Sequence, residues 1–153
     1  MSYDRADHDY STEQDPLPKG HAATHIGMFL AWAVFNGLEN EFHRRQSAEL
    51  LDRLRRREIT GRQFFEAVCD GRFSEKDLGP EGNAFAEYYY STETGERGAY
   101  FADYKRTLAA RLPSFWHVAD TWANYDRMAA VIDRRFADWR KPPPTRRWWQ
   151  FWK

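Results

Sequence analysis

Trp122-Ala123-Asn124-Tyr125-Asp126-Arg127-Met128-Ala129-Ala130-Val131-Ile132-Asp133-Arg134-Arg135-Phe136-Ala137-Asp138-Trp139 decides the fold class. Trp122, Tyr125, Ala129, Ile132, Phe136 and Trp139 recur at alternating spacings of three and four. That period places them in one stripe along a helix, the pattern of a seam between packed helices. Asp120 or Thr121 is placed to cap the first turn. Trp122 is expected to head the buried seam.

The same period recurs upstream. Ile26, Phe29, Leu30, Ala33 and Val34 define a helix over 22–36, with Thr24 or His21 near its start and Gly37 as its stop. A second helix is expected over 39–57, burying Phe42, Leu50, Leu51 and Leu54 beneath a densely charged outer face. Thr60-Gly61-Arg62-Gln63 matches a capping box and opens a third, which carries Phe64, Phe65, Val68 and Cys69 and ends at Gly71. Ser74-Glu75-Lys76-Asp77 signals a single capped turn before Gly79-Pro80. A fourth helix over 81–90 turns Ala84, Phe85, Tyr88 and Tyr89 to one side. A fifth over 99–111 turns Phe101, Tyr104 and Leu108 inward, and Pro113 breaks it. Phe115 and His117 suggest a short extended piece. Nothing else alternates over five residues, so the expected fold is all-α, a single-domain bundle of about six helices over residues 21–141. Residues 1–20 form a polar, acidic, extended arm. Residues 142–153 form a polyproline spacer and a Trp-rich tail.

Composition narrows the function. At 153 residues the chain fits one domain. Its 23 basic and 23 acidic side chains cancel, which gives no argument for nucleic acid. The charge is uneven: Asp4, Asp7, Asp9, Glu13 and Asp15 crowd the start, and Arg140, Lys141, Arg146, Arg147 and Lys153 the end. The basic run Arg53, Arg55, Arg56, Arg57 reads as a solvated helix face rather than an RNA site. The lone Cys69 excludes an internal disulfide and suits a reducing cytoplasm. The longest apolar run, Ile26 to Phe35, is too short to span a bilayer. Aromatics at 17% must be core or binding surface.

Catalytic signatures are missing. Gly79-Pro80-Glu81-Gly82-Asn83 lacks the Lys-Ser/Thr of a phosphate loop, and no HExxH is present. His21 and His25, four apart, could flank a metal edge-on but need further ligands, and His43 and His117 are remote in sequence. They read as a cap and a core-edge histidine. Cys69, which could pair with His117 or His25 as nucleophile and base, reads as a small hydrophobe. Asp70 sits at a helix C-terminus, where the dipole disfavours a carboxylate, and reads as the start of a turn with Gly71. No enzyme activity, cofactor or metal is expected.

Binding is better supported. Trp116, His117, Asp120, Trp122, Asn124 and Asp126 lie within eleven residues at a loop-to-helix junction and could form a recognition patch. They read equally as one cap, one buried seam and solvated neighbours. In the tail, Arg147, Trp148, Trp149 and Trp152 combine the residue types that anchor interfaces.

The stretch Thr24-His25-Ile26-Gly27-Met28-Phe29-Leu30-Ala31-Trp32-Ala33 resembles the opening of a family of small bacterial cytosolic proteins of uncharacterised function. Val68-Cys69-Asp70-Gly71, Gly82-Asn83-Ala84-Phe85-Ala86 with Tyr88-Tyr89-Tyr90, and Val118 with Asp120-Thr121-Trp122 through Asn124-Tyr125-Asp126 carry the same resemblance. In size and style the chain is also similar to immunity proteins of bacterial toxin systems, an analogy rather than a motif match. The leading expectation is a module that neutralises a cognate protein toxin by stoichiometric binding. An adaptor docking through the tail, with weak membrane-surface contact, is the alternative. A small enzyme using His25, Asp70 and Asp120 is the third reading.

Deleting residues 142–153 is expected to leave the helical fold intact and to weaken association with a partner or lipid. Circular dichroism and a binding assay check it; a truncated protein that unfolds would make the tail part of the core.

Overall fold

Helix α1 (Thr24–Phe35) is buried on every side: all residues from Thr24 to Val34 are shielded from solvent. A helix apolar all round belongs at the centre of a fold, with other elements wrapped about it. In the computed structural model, residues 2–91 and 98–141 are described. Around α1 lie α2 (Glu41–Gln46), α3 (Ala48–Arg55), α4 (Gly61–Val68), α5 (Pro80–Tyr89), α6 (Ala99–Tyr104) and α7 (Trp122–Arg140). Strands β1 (Ser2–Arg5) and β2 (Arg72–Ser74) form one antiparallel pair. The protein is a single, mostly helical domain.

Much of the capping follows the sequence. Thr60 accepts from the Gln63 amide while Gln63 reaches back to the Thr60 N–H, a complete capping box at α4. Ser74 and Asp77 form a second box around the 3₁₀ turn Glu75–Asp77. Thr121, rather than Asp120, caps α7. α1 ends as expected at Gly37, whose φ of +70° closes a Schellman motif through Gly37 N–H to Val34 O and Leu38 N–H to Ala33 O.

Other expectations are corrected. The long second helix is two: Asn40 caps α2, and at Ser47 (φ −130°) the chain bends into α3. The break turns Phe42, expected in the core, outward to 53% exposure, and its neighbour His43 inward. On α5 the buried side is Phe85, Ala86 and Tyr89, while Tyr88 faces solvent and Ala84 is exposed. Helix α6 widens into a π-helical turn over Lys105–Ala109. The expected extended piece at Phe115–His117 is a 3₁₀ turn, capped by Ser114. Residues 2–5, read as part of a polar arm, form β1. A bulge between Ser2 and Asp4 lets the adjacent Tyr3 and Asp4 both turn inward, Tyr3 to Asn83 and Asp4 to His25.

The aromatic excess is largely core. Phe29 of α1 lies within ring contact of Trp32, Phe73, Phe85, Tyr89, Tyr90 and Tyr100. Trp32 reaches α7, where its indole N–H donates to Asp133 (2.8 Å) and its ring meets Phe136 edge-on at 5.0 Å. α7 buries Tyr125, Met128, Ile132 and Phe136, with Ala129 and Trp139 half-covered. Trp122, expected to head the seam, is also half-covered.

Backbone meets backbone where α1 crosses α4. A Cβ on Gly27 would lie 2.2 Å from the Arg62 amide nitrogen, and one on Gly61 would lie 1.9 Å from the Gly27 carbonyl oxygen. Neither obstacle is a side chain that can swing away. Gly27→Ala is therefore expected to destabilise by about 3 kcal/mol or more, through forced separation of the helices. Gly37→Ala, with open space around it, should cost only about 1 kcal/mol for its backbone conformation. Urea denaturation of the two variants checks the ranking; equal losses would contradict it.

Candidate functional site

The segment from Ser114 to Asp126 divides its polar and aromatic groups between two tasks. Its first part holds the N-terminal arm. Trp116 stacks flat on Tyr10 (4.1 Å between centroids, 10° between planes). His117 lies 2.8 Å from the Ser114 hydroxyl and 3.3 Å from Asp15. Asp120 accepts from the Thr60 hydroxyl at 2.6 Å and faces Arg62 at 3.4 Å, tying the start of α7 to the start of α4. Asn124 donates to Ala119 O and completes the cap with Thr121. Trp116, His117, Asp120 and Asn124 thus fix chain to chain within the fold.

Trp122 and Asp126 turn the other way, toward solvent, and meet a residue the sequence did not link to them. The Arg57 guanidinium lies 4.5 Å from the Trp122 ring centroid and 5.7 Å from that of Tyr125. It donates two hydrogen bonds to Asp126, at 2.6 and 3.2 Å. Phe35, 39% exposed, flanks the pair of rings. Arg57 has φ +60°. Its N–H bonds Leu54 O and the next N–H bonds Arg53 O, so it occupies the Schellman position at the end of α3 that Gly37 holds at the end of α1.

Among the described residues each buried histidine and carboxylate has at least one polar partner. His25 Nε2 lies 2.7 Å from Asp4 Oδ2, which also accepts from the Tyr90 hydroxyl at 2.6 Å. Burial opposes charge on Asp4, but His25, Tyr90 and the Arg5 amide outweigh it and hold the carboxyl below its ordinary value. Asp103 is likewise buried and held low by Arg135, Tyr89 and Arg106. His21 bonds Pro18 O through Nδ1 and accepts the Tyr10 amide at Nε2, so it shares no ligand position with His25. His21 caps no helix, since α1 opens at Ala23 without a side-chain cap, and His25 lies in the core rather than at its edge.

His43, Cys69 and Asp77 form a third buried group. Asp77 Oδ1 lies 2.9 Å from His43 Nε2 and accepts from the Cys69 thiol at 3.3 Å. Asp77 Oδ2 accepts the Ser74 amide at 2.9 Å. The carboxylate stands between thiol and imidazole, so this is no nucleophile–base–orienter relay, in which the imidazole would be central. Burial first, then the Asp77 charge, push the thiol far above its usual range. Neither His25 nor His117 is the neighbour of Cys69.

Among the described residues no hydrogen bond or ion pair joins any two of His25, Asp70 and Asp120. Asp70 is exposed in a left-handed turn (φ +51°) before Gly71, as the turn reading has it. Arg147, Trp148, Trp149 and Trp152 lie outside the described residues. The grouping of His43 with Asp77 was hidden because the α2–α3 break, not any spacing, turns His43 inward. The one sequence signal for Arg57 was a helix ending without Gly or Asn.

The fold is therefore that of a small helical domain whose polar groups mostly secure its own chain. It belongs to the family described as a domain of unknown function, DUF7832, whose profile matches residues 2–118. No curated protein and no solved structure matches it. No described helix is long and apolar enough to cross a membrane.

The lowered carboxyl of Asp4 fixes the sign of a pH effect. A folded value below the ordinary 3.8 means its contribution is complete above that pH and is lost as pH falls through the folded value. Asp4→Asn should cost stability at pH 7, and its deficit relative to the wild type should shrink near pH 3. Urea unfolding at both pH values checks this; a deficit that stays constant would mean Asp4 carries no charge-dependent stabilisation.

Proposed function

We propose that this protein is a cytoplasmic protein-binding module that acts by stoichiometric occlusion, in its most concrete form an immunity protein for a cognate protein toxin. The Arg57 patch is the observation that supports this reading most. Glycine would fit the left-handed position after α3 without strain. Arginine there costs about 1 kcal/mol of backbone energy, and an exposed ion pair with Asp126 returns at most about that much. What arginine adds is a fixed cation over Trp122, beside Phe35 and Asp126, at the surface. Trp and Arg held rigid in this way are the residues on which interface energy concentrates. The charged pair also suits fast, oriented association. The rest of the site agrees, because His21, His25, His43 and Cys69 are turned inward and bonded to neighbouring groups.

The partner to test is any toxin-like protein found to be encoded beside this gene. Protection should rise with added protein and be complete at one protein per toxin. Complete protection by a small fraction of an equivalent would make the protein an enzyme instead. Arg57→Gly should change stability by less than about 1 kcal/mol, since relieved strain offsets the lost ion pair. The same change should weaken binding by about tenfold or more. Calorimetry on the pair and thermal unfolding of the free variant measure the two effects, and unaltered affinity would remove the patch from the interface.

A further inference from the structure

We propose that His43, Cys69 and Asp77 form a binding site for a thiophilic divalent metal ion, of which zinc is the representative, with a fourth position open to the adjoining surface cavity. The three side chains come from α2, the end of α4 and the turn after β2, and are 1%, 8% and 5% exposed. One ligand atom from each lies within 4.8 Å of the others. A tetrahedral zinc ion with one sulfur, one nitrogen and one oxygen ligand needs these atoms roughly 3.4–3.6 Å apart. The observed 2.9 and 3.3 Å to Asp77 Oδ1 lie within about half an ångström of this, and the imidazole and thiol, within 4.8 Å of one another, would close on the ion.

Two donors, the imidazole and the thiol, now converge on a single carboxylate oxygen. One dication in place of their two protons keeps all three atoms as ligands. As the Sγ–metal bond forms, the thiol proton leaves to solvent and the imidazole proton resides on Nδ1. Thiolate and carboxylate then cancel the dication, so the buried site carries no net charge. The ligand set, soft sulfur with imidazole and a carboxylate, selects zinc or cobalt over magnesium or calcium. Asp77 is already oriented by the Ser74 amide. A cavity of about 550 Å³, rimmed by Ser2, Phe42, Asp70, Arg72 and Lys76, opens onto the three ligands and supplies both an entry path and room for a water molecule in the fourth position. His43 Nδ1 is buried without a hydrogen-bond partner among the described residues. The site thus lacks the outer hydrogen bond that strengthens histidine–metal sites, and its affinity should be about 10–100-fold below that of a fully supported one.

The experiment uses the full-length protein, stripped with chelator and returned to chelator-free buffer. Cobalt titration should give near-ultraviolet thiolate-to-cobalt charge transfer that saturates at one equivalent. Excess zinc should raise the thermal midpoint by several degrees. Cys69→Ala, which removes only a small buried side chain, should abolish the charge-transfer band and most of the zinc shift. Its near-ultraviolet circular dichroism should match the metal-free wild type, as a check that it folds. His43→Gln should weaken zinc binding at least tenfold. The proposal is overturned by the absence of a thiolate band with cobalt in the wild type. It is equally overturned by a zinc shift of the same size in Cys69→Ala, which would mean ions bound elsewhere on the surface.

Discussion

The passage of α1 through the middle of the domain, with its backbone pressed on α4 at Gly27 and Gly61, is the constraint on which the other elements depend. A helix buried on all sides has no solvent face to orient it. Its position is set by what it touches, and here the closest approach is backbone to backbone. With side chains removed from that crossing, Phe64 and Phe65 of α4 and Leu51 and Leu54 of α3 are buried on one side of α1. On the other side Phe29 and Trp32 receive the aromatic rings of α5, α6 and α7. Close packing transmits any shift at such a crossing, because the interior has little free volume to absorb it.

The helical character was legible because amphipathic period and capping chemistry are local. The helix from Trp122 to Trp139, the box at Thr60 and the stop at Gly37 each act through neighbouring residues and are found where the sequence put them, though Trp122 does not head the buried seam. The break at Ser47 was not legible. Glu41 to Arg55 has helix-forming residues on both sides of Ser47, so nothing local marks the bend there. β1 was invisible for a related reason. Four polar and aromatic residues make no strand by alternation alone, and a bulge removes what alternation there was. Pairing with β2, nearly seventy residues away in sequence, is a long-range event with no local signature.

The site shows the same division. Trp122 and Asp126 could be named from the sequence as candidates for a patch, though equally as a seam residue and a solvated neighbour. Their partner Arg57 lay in a charge run that read as a solvated face. What distinguishes Arg57 is its left-handed backbone at the end of α3, a property of the helix terminus rather than of the run. Cys69 was assigned to an apolar helix face, and it is buried as that implies. Its contact with Asp77 arises because the chain reverses at Asp70 and Gly71, runs out along β2 and returns in the capped turn.

The small sheet has a consequence larger than its area. Two-stranded ribbons are marginal on their own, yet β1 and the turn after β2 each deliver a carboxylate to a buried histidine, Asp4 to His25 on α1 and Asp77 to His43 on α2. Removing one member of such a pair leaves the other buried and unpaired, which costs far more than the pair gains over an apolar replacement. The pairs therefore act chiefly against alternatives. A slip of β1 by one residue would turn Asp4 from His25 to solvent and offer Tyr3 or Arg5 instead, neither of which can accept the imidazole N–H as a carboxylate does. The same logic holds Asp77 in place through Ser74. Recognition by a preorganised surface, the role proposed for Arg57 and Trp122, would draw on such register selection.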